Sequence, residues 1–288
     1  MKNNYNTINT NTRTILALMT TTTTTTQKMD YILLDTSYFI FYRYYALITW
    51  WKVAKPELPL GNPILNEEFV TKFRKTCIDK IKELPKKLKL KSFKILASLD
   101  CSRSDIWRKT IYNEYKETRI YTNEFLGGPF FQMGINIIRE MNIPTFNHEH
   151  LEADDINALL CKHLLSKDPN SMIYIIANDM DYLQLVSEKV KIITLQYKDI
   201  TTSKQCFGNA DFDLFHKIIV GDKSDNIRPV FKRCNHSTLV NYYNNRSLFE
   251  EELKLQGCEE QYKRNKTLID FNEIPQELAL EFMAGVSL

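Results

Sequence analysis

Five short apolar runs set the architecture of this chain: YILLD (31–35), FKILASLD (93–100), NIPTF (142–146), MIYIIAND (172–179) and VKIITL (190–195). Most are near-continuous in aliphatic and aromatic residues rather than alternating, which is the pattern of strands buried on both faces. Between several of them lie stretches with helical spacing, such as Ile156, Leu159, Leu160, His163 and Leu164. Strands alternating with helices predict an α/β fold, a parallel sheet with helices on both faces. Ligands of such sheets bind outside the carboxyl ends of the strands. The residues at those ends therefore bear most on function.

The flanks read differently. Residues 1–29 are rich in Asn and Thr, include the Thr run 20–26 and carry no acid before Asp30. Such a segment buries too little apolar surface to offset its chain entropy, and disorder is expected. An organellar transit peptide is one reading, with Lys2, Arg13 and Lys28 as its only charges; a dispensable tail with Met29 as an alternative start is the other. The α/β domain is expected over 30–215. After Phe215 the chain turns to short helical segments, among them STLVNYYNN and SLFEEELKL, which predict a smaller helical domain over 216–288.

With 288 residues, 43% of them hydrophobic, the chain can bury a sizeable core. The net charge of +3 is the small difference between 38 basic and 35 acidic residues, so only the placement of charge is informative. Six scattered cysteines without a C-x-x-C pair argue against a zinc ribbon, a redox motif or a disulfide scaffold. They read as reduced, intracellular thiols. The most apolar stretch, 31–51, contains Asp35 and Arg43 and lacks the ~20 uncharged residues of a bilayer span. No membrane segment is expected.

Three of the five runs end in aspartate: Asp35, Asp100 and Asp179, with Asp181 two residues on. Parallel strands finish on one edge, so these side chains should converge there. LEADDINALL adds Glu152, Asp154 and Asp155 in the first turn of a helix, and GDKSDNI adds Asp222 and Asp225. Helix capping explains the first group taken alone, and an Asx-type turn around Gly221 explains the second. Neither requires five segments to deliver acids to one rim. Carboxylates so gathered protonate unless a cation sits among them, and oxygen donors without His or Cys select hard ions such as Mg²⁺ or Mn²⁺. A cluster of this size suggests two ions about 3.5 to 4 Å apart, the arrangement that drives phosphodiester hydrolysis.

In order and spacing, LLDTSYFIFYRYY, LDCSRSDIWRKTIYNEYKETR, LEADDINALL, ANDMDYLQLV and GDKSDNIRPV resemble the structure-specific 5′ nucleases, the family of flap endonucleases and 5′–3′ exonucleases. The stretches IWRKTIYNEYKETR and EEQYKRNKTLIDFNEIP are most similar to its T-even phage ribonuclease H branch. The resemblance spans about residues 30–288. It implies a PIN-like α/β domain followed by a helix-three-turn-helix region, and removal of RNA primers or 5′ flaps with Mg²⁺ or Mn²⁺, two ions per site. Asp35, Asp100, Glu152 and Asp154 would form the first metal site. Asp179, Asp181 and Asp222 would form the second, with Asp154 shared or beside it. Asp155 and Asp225 would act through water or from behind the direct ligands. Lys116 and Arg119 match the family's basic pair facing the scissile phosphate.

The implied substrates are DNA with a 5′ flap or duplex end and RNA·DNA hybrid. A sliding clamp or single-strand-binding protein is the implied partner class, and the enzyme is expected to be a monomer. Arg103, Arg108 and Lys109, interleaved with Trp107, Tyr112 and Tyr115, suit a threaded single-stranded 5′ end; an amphipathic helix with buried aromatics is the competing reading. Arg43 on the first helix is a further candidate contact. The lysine-rich stretch 80–94 reads as a solvated helix face, with phosphate contact as the alternative. Many relatives follow the GD-x-SDN-I motif with a glycine-rich hairpin and a bound potassium ion. Here RPVFKRCNHSTLVNYY lacks those glycines, which puts the potassium site in doubt and leaves Arg228, Lys232 and Arg233 to anchor the duplex. A narrower DNA-repair flap or bubble endonuclease without RNA·DNA activity, and an inactive junction-binding scaffold, remain as alternatives. QELALEFM near the C-terminus reads as a helix start after Pro275 rather than a clamp-binding peptide.

Overall fold

The computed structural model describes residues 28–119, 125–204 and 206–287. The tail reading therefore falls almost wholly outside the described residues. Five parallel strands, β1 (Asp30–Asp35), β2 (Phe93–Ser98), β3 (Thr145–Phe146), β4 (Ile173–Ile176) and β5 (Val190–Ile193), form one sheet in the order β3-β2-β1-β4-β5. β1 is one residue longer than the apolar run that predicts it, and the other four strands are shorter than theirs. β2 stops at Ser98 and β4 at Ile176, so Asp100 and Asp179 stand on loops just past the strand ends.

Alternation along β1 divides the core. Ile32 and Leu34 join a cluster with α1 (Thr36–Ala54), α2 (Glu67–Lys87) and α4 (Gly128–Glu140), while Leu33 faces a second cluster with α5 (Ala153–Lys167) and α10 (Gln276–Ala284). All three residues are wholly buried. Cover on both faces is why β1 reads as an unbroken apolar run. The short α3 (Arg108–Ile111) lies in the loop region after β2. On α2 the buried residues Phe69, Phe73, Cys77, Ile81 and Leu84 recur every three to four positions, and the Asn66 side chain caps the first turn by accepting from the Phe69 N–H.

A helical region follows: α6 (Ala210–Val220), α7 (His236–Asn244), α8 (Arg246–Gln256) and α9 (Glu259–Ile269). It has an aromatic core of its own, including Phe212, Phe215, Phe231 and Phe249. The expected boundary at 215–216 falls inside α6. The chain then returns to the sheet, where Phe271, Ile274 and Phe282 pack into the cluster of Leu33 and Ile175. Among the described residues no helix is long and apolar enough to cross a membrane.

Candidate active site

The three adjacent central strands β2, β1 and β4 point their carboxyl ends to one rim, which is why Asp100, Asp35 and Asp179 stand side by side. Each carboxylate also serves its own segment. Asp35 caps α1 by accepting from the Tyr38 N–H at 2.9 Å, Asp100 accepts from Ala153 N–H at the start of α5 at 2.9 Å, and Asp179 caps the 3-10 turn Met180–Leu185 through the Asp181 N–H at 3.0 Å. Capping and clustering are therefore not rival explanations here. The same carboxylates do both.

Asp35, Asp100, Glu152, Asp154 and Asp179 line one cleft of about 220 Å³ together with Lys116 and Arg119. Five carboxylates face two cations. Burial, then Asp100 and then Asp179 push Asp35 up to about 7, and burial, then Asp155 and Glu152, hold Asp154 well above the carboxylate range. Glu152 goes the other way. Burial would raise it, but Lys116, at 2.5 Å from Oε1, and Arg108 outweigh that and hold it low.

A second group sits beside the first. Asp181 and Asp222 are joined by Lys217 of α6, whose Nζ lies 2.8 Å from Asp181 Oδ1 and pairs with Asp222 Oδ2. Burial and Asp179 raise Asp181 to about 7 in spite of that lysine, while Lys217 and the Ser224 bonds lower Asp222 against its burial. Of the expected second metal set, Asp179 opens on the cleft and Asp181 and Asp222 face Lys217. Sequence reasoning missed Lys217. Its only signal was a lysine five residues before Asp222 at the end of an amphipathic helix. The turn that carries Asp222 demands Gly221, at φ 73°, because a Cβ there would meet the Ile227 carbonyl oxygen at 2.4 Å.

Three expected roles need correction, those of Trp107, Arg108 and Tyr115 as contacts to a threaded strand. Asp155, Trp107, Arg108 and Tyr115 are all buried; the first three bond to one another, and Tyr115 bonds to Glu152 and Asp225. Arg108 donates to Asp155 Oδ1 and Oδ2 at 2.7 and 2.8 Å, to Glu152 Oε2 at 3.0 Å and to the Leu268 carbonyl at 2.7 Å. Trp107 Nε1 donates to Asp155 Oδ2 at 2.9 Å, and the Tyr115 hydroxyl donates to Glu152 and Asp225 at 3.1 Å each. Trp107, Arg108 and Tyr115 thus do not present stacking or phosphate-binding surfaces; they fix the acids from behind. Glu152, Asp154 and Asp155 can each place an oxygen within 4.8 Å of the others. Both oxygens of Asp155 accept from Arg108, which places it behind the direct ligands, one of the two positions expected of it.

Asp225 is likewise tied to Arg119 and Tyr115. Arg119 also donates to the Ser224 carbonyl, and Arg103 donates to the carbonyls of Lys116 and Arg119, bracing the loop that carries both cleft cations. Arg43 lines a separate cleft with Trp50 and Lys72. Lys109 is partly exposed, and Arg228, Lys232 and Arg233 lie on the surface after the Gly221 turn, with Arg228 3.8 Å from Glu114. A buried chain not visible in the sequence, Ser98 to Asn157 (2.7 Å), Asn157 to Tyr182 (2.9 Å) and Tyr182 to Asp35 (3.3 Å), ties Asp35 to α5 and β2.

Oxygen donors without nitrogen or sulfur fit a hard divalent cation. The raised values at Asp35 and Asp181 give a stability test. Without metal, the folded state holds protons there that the unfolded chain would release, so this contribution is complete below the usual carboxylate range and is lost as pH rises through about 7. A bound cation replaces those protons. Mg²⁺ is therefore expected to raise the melting temperature more at about pH 8 than at about pH 6. At a hundredfold excess over Kd the gain is about 2.7 kcal/mol, roughly 5 to 10 °C for a domain of this size. Thermal unfolding in EDTA and in Mg²⁺ measures it, and equal shifts at both pH values would contradict it.

A parallel α/β sheet that gathers carboxylates at its carboxyl rim, with a lysine and an arginine beside them, defines a hydrolase of the metal-assisted phosphodiesterase class. The chain belongs to the 5′–3′ exonuclease family: the family model for the 5′–3′ exonuclease N-terminal resolvase-like domain matches residues 30–213. It is 28% identical over 229 residues to ribonuclease H of enterobacteria phage T4, covering 72% of this chain and 74% of that one. It is also 28% identical over 230 residues to a 5′–3′ exonuclease of Buchnera aphidicola, covering 74% and 73%. Among solved structures, the phage T5 5′-exonuclease with bound zinc ions superposes with a TM-score of 0.62 at 18% identity, covering 88% of this chain and 97% of that one. A phage T5 flap endonuclease in a pseudo-enzyme-product complex with DNA and metal ions gives 0.61 at 18% identity, with the same coverage. At these identities the superpositions establish the fold.

Proposed function

We propose that the protein is a structure-specific 5′ nuclease that hydrolyses phosphodiesters near the 5′ ends of flap, duplex and RNA-primer substrates, using two Mg²⁺ or Mn²⁺ ions. The observation that carries this reading is the single cleft in which Asp35, Asp100, Glu152, Asp154 and Asp179 meet Lys116 and Arg119. Family membership and the names of the relatives support it.

Asp35, Asp100, Glu152, Asp154 and Asp179 would hold the ions, and Asp181 and Asp222 would do so by exchanging Lys217 for one. Divalent ions held by these carboxylates would supply Lewis acidity toward the phosphodiester and lower the pKa of a coordinated water. The chain supplies the rest. Lys116 and Arg119 admit a phosphate to a rim that would otherwise repel it, and they stabilise the charge that grows on its oxygens during hydrolysis. Arg108, Asp155 and Tyr115 keep Glu152 oriented. Arg228, Lys232 and Arg233 are exposed and suited to a duplex backbone. The relative named ribonuclease H favours activity on RNA·DNA hybrid over a DNA-only repair role. Action as a monomer alongside a sliding clamp or a single-strand-binding protein belongs to the same reading. Every acid matched to the family is retained, which disfavours an inactive scaffold.

A side-by-side assay on 5′-labelled flap, nicked duplex and RNA·DNA hybrid, titrated with Mg²⁺ and with Ca²⁺ as a non-supporting control, tests the assignment. Cleavage in EDTA would overturn it. In the same assay Lys116→Met is expected to lower kcat about 100-fold, near 2.7 kcal/mol of transition-state stabilisation, with a smaller change in KM. A change confined to KM would place Lys116 in ground-state binding instead.

A further inference from the structure

A cavity of about 760 Å³ lies away from the acidic rim, along the amino half of β2 between the last turns of α2 and the segment that leads from α4 into β3. Its surface is chiefly apolar, with Ile81, Leu90, Phe93, Ile95, Met141 and Ile143 contributing, and its rim carries Lys82, Lys86 and Lys94. Among the described residues no carboxylate lines it. Nearby Lys80 and Lys87 both pair with Glu83, whereas among the described residues Lys82, Lys86 and Lys94 have no acidic partner. Three solvated charges of one sign thus border an apolar trough.

The sheet is open at this place. β3 pairs only with Ala97 and Ser98, so among the described residues Phe93–Leu96 have β1 on one side and no strand on the other. Ala97 and Leu99 donate outward to the carbonyls of Pro144 and Phe146, at 2.9 Å each. By alternation Phe93 and Ile95 turn their N–H and C=O groups to the same uncovered side. Pro144 has no N–H with which to extend the ladder. An open sheet edge is a template for an added strand.

We infer that this groove docks an extended acidic peptide from a partner protein, which adds a strand beside Phe93–Ile95, sets apolar side chains into the trough and opposes its carboxylates to Lys82, Lys86 and Lys94. A nucleic-acid backbone, the other anionic candidate, has phosphates for the lysines but nothing to bury against an apolar floor or to pair with a strand edge. The site is remote from the carboxyl rim, so docking recruits the nuclease without covering its cleft. The lysine-rich stretch 80–94, which the proposed catalysis leaves unused, gains a role.

The probe is a fluorescein-labelled decapeptide that alternates aspartate with phenylalanine and isoleucine, titrated by anisotropy against the full chain. Saturable binding that weakens as salt is raised is expected. The combined variant Lys82→Glu, Lys86→Glu, Lys94→Glu should weaken it at least about tenfold, and the milder Lys→Gln set at the same positions should do so in part. Methylating alternate backbone nitrogens of the peptide should cost about tenfold as well, since strand addition uses main-chain bonds. Cleavage of a flap substrate and the melting temperature of both variants should match those of the parent. Absence of saturable binding, or unchanged affinity in the charge-reversed variant, overturns the proposal. So does a variant that keeps the peptide and loses affinity for a duplex oligonucleotide, which would mark the lysines as a nucleic-acid track.

Discussion

Asp179→Asn is expected to slow flap cleavage at saturating Mg²⁺ by about 1000-fold, equivalent to about 4 kcal/mol of lost transition-state stabilisation, while junction binding changes little. The exposed Asp179 carboxylate opens on the cleft and has no ion-pair partner among the described residues. Removing its charge therefore strips the site of a ligand without orphaning a buried cation. It also relieves Asp35 and Asp181, both of which it pushes upward, so the metal-free variant should melt no lower than the parent. Single-turnover cleavage, gel-shift binding and thermal unfolding separate these effects. A variant that cleaves at the parental rate would remove Asp179 from the machinery.

The second large effect falls on stability. Arg108→Met would leave Glu152 and Asp155 buried beside no guanidinium, and breaking such an ion pair costs about 3 to 5 kcal/mol. For a chain of this size that is a fall in melting temperature of roughly 10 °C. Arg108→Lys is expected to recover little, because a lysine offers one point charge where the guanidinium forks onto both oxygens of Asp155. Pairing Arg108→Met with Asp155→Leu should restore a large part of the loss, since both buried charges of that bond are then gone. If Arg108→Met melted with the parent and instead weakened DNA binding, the expectation of a substrate-facing arginine would be reinstated.

The Arg108 case also shows where the sequence stops speaking. The sheet, its parallel sense and the gathering of acids at one rim were legible because they follow from local rules: unbroken apolar runs, helical spacing between them and aspartates at the run ends. The interleaving of Trp107, Arg108, Lys109 and Tyr115 was legible only as a choice, since a basic-aromatic stretch has the same pattern whether it faces a nucleic acid or a core. What decided it is a contact 47 residues away, Arg108 with Asp155, which no periodicity encodes. Lys217 and the chain from Ser98 through Asn157 and Tyr182 to Asp35 were invisible for the same reason. Each is an unremarkable residue until the fold sets it against an acid. The open edge beside Phe93–Leu96 depends on how few residues of the run NIPTF actually pair, which its composition does not reveal.

The proposed hydrolysis requires the cleft at the sheet rim to be a binding site for divalent cations. A crystal soaked in Mn²⁺ and measured at the manganese edge tests it directly. The expected map has one anomalous peak among Asp35, Asp100, Glu152 and Asp154, and a second toward Asp179, Asp181 and Asp222 with the Lys217 ammonium displaced. A map with no peak among these carboxylates, and Lys217 still bridging Asp181 and Asp222, would contradict it.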